Sequence, residues 1–390
     1  MEVIPGLGFE TVLTHRGEEV KNRHSVVPPI FQVSTFVFDE YEELMHAMVE
    51  DPIGPPSHYS RISNPTLDVV EQKLAVLEKT EACKLIQTGM GASFMAIMAN
   101  VQQGSHIVTL DTCYGPVKLL LDKYLPKFGV HTTFVVGTNV DEWIDAIRPE
   151  TTLLYLESPS SILFRLQDIE EITKETKRRK IATAIDNTYC TPMNSNPATM
   201  GVDIVLHSAT KYLGGHSDLT AGAICASNEF IQGLARAELN LFGSILAPFP
   251  AWLLMRGMRT LAIRMRHYER AGNEVAAFLE GHPSVDVVHH VGLPSFTQRD
   301  LFLKQMRASS SLLSFEPKCQ ERDKIVAFVQ ALKIFQIGVS WGGHESLVVA
   351  LQGQPFGYSE PRFCIRFYCG LEDTKDLIAD IEQAFGASGL

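Results

Sequence analysis

Positive charge is in short supply in this sequence. Thirty-four Lys and Arg stand against 45 Asp and Glu, a formal net charge of −11, and such a surface repels phosphate backbones and anionic membranes. No nucleic-acid partner is expected. Paired cysteines are missing too: the seven, Cys83, Cys113, Cys190, Cys225, Cys319, Cys364 and Cys369, are odd in number and form no C-x-x-C motif, and no His stands at metal-ligand spacing from them. That pattern predicts reduced thiols in a cytoplasmic protein and no metal site. The opening MEVIPGLGFE lacks the basic and long apolar regions of a signal peptide. Leu85 to Leu110 carries no Asp, Glu, Lys or Arg, yet Gln87, Asn100, Gln102, Gln103, Gly104 and Ser105 interrupt it. It reads as a strand, loop and buried helix, and no membrane partner is expected. Internal repeats and low-complexity tracts are absent.

What is present is apolar material for a large core and a smaller one: 45% of 390 residues are hydrophobic. From about residue 80 to 226, short apolar runs alternate with helical patterns. The runs are 83–86, 106–110, 133–136, 152–156, 181–185, 203–207 and 221–225. Such alternation predicts an α/β fold with a mainly parallel seven-stranded sheet and helices on both faces. Ligands of these sheets bind at the carboxyl ends of the strands. Residues 1–60, broken by Pro28, Pro29, Pro52, Pro55 and Pro56, read as an arm wrapping a neighbour. Pro248 to Glu280 is a long helical stretch, and 281–390 mixes strand-like runs (311–315 and 363–367) with amphipathic helices such as 374–385, a smaller α+β domain.

The residues after the runs carry the chemistry. His207-Ser-Ala-Thr-Lys-Tyr-Leu-Gly-Gly-His-Ser-Asp218 places Lys211 between hydroxyls and glycines at a strand end. An aldehyde cofactor needs such a set: an amine for a Schiff base, hydroxyls for a phosphate, and glycines where backbone passes close. A lone Lys is usually a solvated surface group, so the other strand ends decide. Asp186 closes the run 181–185, where a carboxylate can keep a pyridinium nitrogen protonated, although an N-cap would look the same. Thr88-Gly-Met-Gly-Ala-Ser93 opens a helical stretch whose first N–H groups suit a phosphate; alone it would be only a turn. Tyr114, after the run ending at Leu110, can stack on a flat ring or simply pack in the core.

Together these motifs make the chain resemble the Cys/Met-metabolism (transsulfuration) family of pyridoxal 5′-phosphate (PLP) enzymes over nearly its whole length. The resemblance rests on Tyr59-Ser-Arg-Ile-Ser-Asn-Pro-Thr66, Thr88-Gly-Met90, Glu157-Ser-Pro159, Asp186-Asn-Thr188, Ser208-Ala-Thr-Lys211, Leu254-Met-Arg-Gly257, Ser340-Trp-Gly-Gly-His-Glu-Ser-Leu347 and Arg366 ahead of Gly370-Leu-Glu-Asp373. It implies PLP fold type I, aspartate aminotransferase-like: an arm (1–60), a large cofactor domain (61–256) and a small C-terminal domain (257–390). It further implies that Lys211 carries PLP, Asp186 pairs with the ring nitrogen, and Gly89, Met90, Ser208 and Thr210 bind the phosphate. Tyr59 and Arg61 of a neighbouring subunit would join them, as befits a homotetramer built as a dimer of dimers. Tyr114 would stack on the ring and act as an acid or base, and Ser340 and Arg366 would hold the α-carboxylate.

The branch within the family is divided. Tyr59 to Thr66, Tyr114-Gly115, Asp186 to Pro192 and Val339-Ser340 are similar to methionine γ-lyase. Ser161, where many γ-acting members have Asn, is similar to bacterial cystathionine β-lyases, as are Ser340-Trp-Gly-Gly and the short connection from Leu347 to Arg366. Trp341 would narrow the pocket. Val339 stands where cystathionine γ-acting members carry Glu, Pro116 where methionine γ-lyases carry a reactive Cys, and His344 fits neither pattern. The expected activity is therefore a carbon–sulfur lyase of cystathionine β-lyase type, giving pyruvate, ammonia and homocysteine. Methionine γ-lyase-like elimination and γ-replacement are the alternatives.

Overall fold

A computed structural model describes residues 7–18, 24–355 and 357–390. Residues 1–6 and 19–23 of the expected arm lie outside it, as does most of the stretch read against a signal peptide. The rest of the arm is short pieces: helices Phe9–His15 and Tyr41–Met45 amid irregular chain. Among the described residues no helix is long and apolar enough to cross a membrane.

All seven expected runs are strands: β1 (Ala82–Ile86), β2 (His106–Leu110), β3 (His131–Val135), β4 (Thr151–Glu157), β5 (Ala182–Asp186), β6 (Ile204–His207) and β7 (Gly222–Ala226). Their order is β1-β7-β6-β5-β4-β2-β3, with β7 antiparallel to both neighbours and the remaining pairs parallel. The interior strands were legible because a strand covered on both faces is apolar at nearly every position rather than at alternate ones. In β2 all five residues are buried, and in β4 all but Thr152.

The second sheet holds β8 (Val285–His289), β9 (Leu312–Pro317), β10 (Gln336–Ile337), β11 (Leu347–Gly353) and β12 (Arg362–Tyr368), in the order β10-β11-β12-β9-β8. Helices Arg322–Ala331 and Thr374–Ser388 cover it, and Phe315, Phe328, Phe367 and Phe385 form its centre, with the Phe328 and Phe385 rings 4.5 Å apart. Offset and edge-on packing of this kind adds to the burial of each ring.

The expected long helix is two, Pro248–Met258 and Leu261–Gly281. The guanidinium of Arg264, buried at the break, explains the turn: it donates to the Gly257 carbonyl at 2.8 Å, the Thr260 hydroxyl at 3.0 Å and the Tyr212 carbonyl at 2.7 Å. The Gly257 carbonyl, which a continuous helix would satisfy internally, accepts here from the Arg264 guanidinium and the Thr260 hydroxyl. The second helix serves both cores. Leu261, Met265 and Tyr268 pack with the first sheet, and Ala271, Val275 and Leu279 with the second.

Candidate active site

Parallel neighbours β6, β5, β4 and β2 end on the same edge of the sheet, so the residues that follow them converge. Glu157 at the end of β4 lies in register with Asp186 at the end of β5, and Asp186 with Leu206 of β6. Tyr114 follows β2, and Ser208 and Lys211 follow β6. A cavity of about 670 Å³ opens there, lined by Tyr114, Asp186, Ser208 and Lys211 from the first sheet, Ser161 from the loop after β4, and Ser340, Trp341 and Arg366 from the second.

The two sheets meet through the loop before β11. Gly342 has φ +91°, and a Cβ on it would sit 2.7 Å from Cα of Lys211; only glycine lets the loop lie that close. Tyr268 and Tyr368 donate to the Gly343 carbonyl at 2.8 and 2.6 Å, and the Tyr212 ring packs edge-on to Trp341 at 5.2 Å. So fixed, Ser340 accepts a hydrogen bond from Lys211 Nζ at 2.8 Å, and the Trp341 ring lies 5.6 Å from the same nitrogen. Arg366 is set by the same loop, donating to the Val339 carbonyl at 2.5 Å and the Ser340 carbonyl at 3.4 Å.

Burial, and then the Arg366 charge, bring the Lys211 ammonium down to about 8, against a smaller opposing pull from Asp186. A substantial neutral fraction is thus available near neutral pH. Asp186 Oδ1 accepts from the backbone N–H and hydroxyl of Thr188 at 2.9 and 2.5 Å. Burial raises the Tyr114 phenol, reinforced by the Asp186 and Glu157 charges, so it stands protonated.

Glu157, part of the Glu157-Ser-Pro159 motif in the sequence, takes a specific place in the structure. Its carboxylate accepts from the Tyr114 backbone N–H and from the Ser161 hydroxyl, both at 2.6 Å. It therefore ties the loop after β2 to the loop after β4. Burial and the neighbouring Asp186 push its carboxyl up to about 8.

The remaining expected residues stand outside the cavity lining. Gly89 begins the helix Gly89–Met98 directly against Ser208, where a Cβ would lie 2.6 Å from the serine oxygen. Met90 follows it, and no side chain caps this helix, so the N–H groups of its first turn remain available to an anion. The Thr210 hydroxyl exchanges hydrogen bonds with the Ala221 backbone. Tyr59 and Arg61 line a separate, more open groove of about 860 Å³. There Arg61 lies over the Tyr59 ring at 5.1 Å and donates to Asn240 at 3.1 Å. The thiols near the site are subdued: Cys113 is buried and raised to about 12, and Cys190 is buried and raised further. A protonated thiol is a poor nucleophile.

A lysine with a depressed pKa, a carboxylate on the next strand end, a serine against an uncapped helix start and a half-buried arginine are the donor set that pyridoxal phosphate requires. The sequence profile of Cys/Met metabolism PLP-dependent enzymes matches residues 10–386. An L-methionine gamma-lyase of Treponema denticola is 37% identical, covering 97% of this chain and 96% of the relative. A chloroplastic cystathionine gamma-synthase of Arabidopsis thaliana is 33% identical over 97% of this chain and 69% of its own length. A solved Campylobacter jejuni structure described as an O-acetylhomoserine (thiol)-lyase superposes with a TM-score of 0.90 at 27% identity, covering 97% of this chain and 100% of the other, and carries a pyridoxyl-lysine phosphate.

Proposed function

The chain belongs to the Cys/Met-metabolism family of PLP-dependent enzymes, of carbon–sulfur lyase type, and from that premise we propose that it cleaves the Cβ–S bond of a thioether amino acid. L-Cystathionine then yields pyruvate, ammonia and homocysteine. The observation that carries this reading is the confinement of Lys211, tethered to Ser340 and walled by Trp341. Elimination from Cβ asks the base to remove one proton, at Cα. Elimination from Cγ asks for a second removal at Cβ, which favours a freer lysine. The γ-elimination reading draws its support from the likeness to the Treponema methionine gamma-lyase.

When bound, PLP supplies an aldehyde for the lysine amine and a ring that accepts electron density from the substrate's Cα. Lys211 takes the Cα proton and passes one to the departing sulfur. Asp186 holds a proton on the ring nitrogen, with its orientation set by Thr188. Arg366 and Ser340 orient the α-carboxylate, so that the Cα–H bond faces Lys211. Tyr114, protonated, donates a hydrogen bond towards the reacting groups, and Trp341 excludes water. Gly89, Met90, Ser208 and Thr210 hold the phosphate together with Tyr59 and Arg61 of a neighbouring subunit. In this scheme residues 1–60 reach that neighbour, 61–256 bind the cofactor, 257–390 face the substrate, and the assembly is a cytoplasmic homotetramer.

Purified holoenzyme given L-cystathionine, L-methionine, L-cysteine and O-acetyl-L-homoserine separately tests the reading. Pyruvate from cystathionine supports it; 2-oxobutanoate or a replacement product in its place defeats it.

Two further outcomes are expected. The rate at which apoenzyme captures PLP covalently should rise with pH and level off above about 8, because the neutral amine is the reactive form and Lys211 is brought down to that value. A rate still climbing at pH 10 would show an unperturbed lysine. Arg61→Ala should loosen PLP, and mixing it with Lys211→Ala protein should restore part of the activity through hybrid sites. Heterodimers with no recovery would argue against the cross-subunit contact.

A further inference from the structure

Behind the two strand ends that carry Asp186 and Ser208 lies a carboxylate that the mechanism does not use. Glu78 is the last residue of the helix Pro65–Glu78 and is fully buried, and the chain turns away at once through Lys79 at φ +63°. Its Oε1 accepts from Asn187 Nδ2 at 2.9 Å and from His207 Nε2 at 2.5 Å. Asn187 directly follows Asp186, and His207 directly precedes Ser208. One oxygen thus ties the end of β5 to the end of β6. On the cavity side the Thr188 hydroxyl makes a second tie, accepting from the Ser208 N–H at 2.7 Å while donating to Asp186 Oδ1.

The plainer reading is a buried polar contact that fastens the helix to the sheet. Glu71, two turns earlier on the same helix, already does that, accepting from Lys84 Nζ and from the Leu85 N–H, both at 2.9 Å. Glu78 is also poorly placed for stability. A carboxylate in the last turn of a helix faces the negative end of its dipole. Among the described residues, Glu78 Oε2, Asn187 Oδ1 and His207 Nδ1 are buried without a hydrogen-bond partner, and a half-satisfied polar cluster is less stable than apolar side chains filling the same space. What the cluster secures is the spacing of Asp186 and Ser208.

We infer that Glu78 is a positioning residue for the cofactor, fixing from behind the distance between the carboxylate that meets the ring nitrogen and the serine that meets the phosphate. The inference rests on the roles proposed above for Asp186 and Ser208 and adds the group that sets them. The ring nitrogen and the phosphate of PLP are joined through a rigid ring and a short arm. A shift of either strand end is therefore felt as lost affinity, even though Glu78 itself touches neither the cofactor nor the substrate.

The test titrates the full-length apoenzyme with PLP, reads the dissociation constant from the cofactor's absorbance, and records the unfolding temperature of each apoprotein. Glu78→Leu, which removes both oxygens at similar size, is expected to loosen PLP about ten-fold or more, the scale of a hydrogen bond to a charged group. Glu78→Gln keeps an acceptor oxygen of the same reach and should recover most of that affinity. Glu71→Gln should lower the unfolding temperature yet leave the PLP dissociation constant unchanged, which separates positioning from fastening. Should Glu78→Leu prevent folding, Asn187→Leu and His207→Leu cut one tie each and are expected to loosen PLP in the same way. PLP held by these variants as tightly as by the unaltered protein, or loosened equally by Glu71→Gln, overturns the inference. Ser208→Ala tells that failure from failure of the reading beneath it, because it must loosen PLP if the serine meets the phosphate, whatever Glu78 does.

Discussion

Lys211→Ala is expected to lower elimination about a thousand-fold or more while leaving a protein that still takes up PLP noncovalently. General acid–base catalysis by a positioned side chain contributes factors of about 10² to 10⁴, and in the proposed mechanism one amine both anchors the cofactor and moves the proton. No neighbour can replace it. Tyr114 is held protonated, the Cys113 thiol is raised to about 12, and Glu157 is engaged with Tyr114 and Ser161. PLP should remain because the other groups proposed to hold it, the Gly89 helix start, Ser208 and Asp186, are untouched. Product formation and cofactor absorbance check the two halves separately. Loss of both would point to a folding role, and undiminished turnover would remove Lys211 from the mechanism.

Asp186→Asn is expected to reduce kcat about a hundred-fold or more with little loss of folded protein. An asparagine oxygen can still accept from the Thr188 N–H and hydroxyl, which now meet Oδ1 at 2.9 and 2.5 Å, so the local backbone should hold. What disappears is the negative charge that stabilises a protonated ring nitrogen, and a single preorganised electrostatic group commonly contributes factors of 10² to 10³. The Glu157 carboxyl, raised chiefly by burial and further by Asp186, should come down in the variant yet stay above its ordinary range. A kcat near that of the unaltered enzyme would mean that the ring nitrogen does not face Asp186.

The sheet was legible because its chemistry is local. Strands covered on both faces announce themselves as apolar runs, and β2 appears with the very bounds that its run suggests. Lys211, Asp186 and Tyr114 were legible for a related reason, since the carboxyl ends of such strands are where ligands bind. The part that could not be read depends on register. Glu157 acquires its place because β4 and β5 align it with Asp186, a relation between segments nearly thirty residues apart. The break at Arg259 and Thr260 needs a buried guanidinium from the next turn.

The central claim, a confined lysine removing one proton so that a thiol leaves Cβ, is tested most directly by the products of L-cystathionine with the purified holoenzyme, identified by mass spectrometry. Pyruvate and homocysteine in equal amounts are the predicted result. Accumulation of 2-oxobutanoate and cysteine would contradict it, and would show that Lys211 serves two carbons despite Ser340 and Trp341.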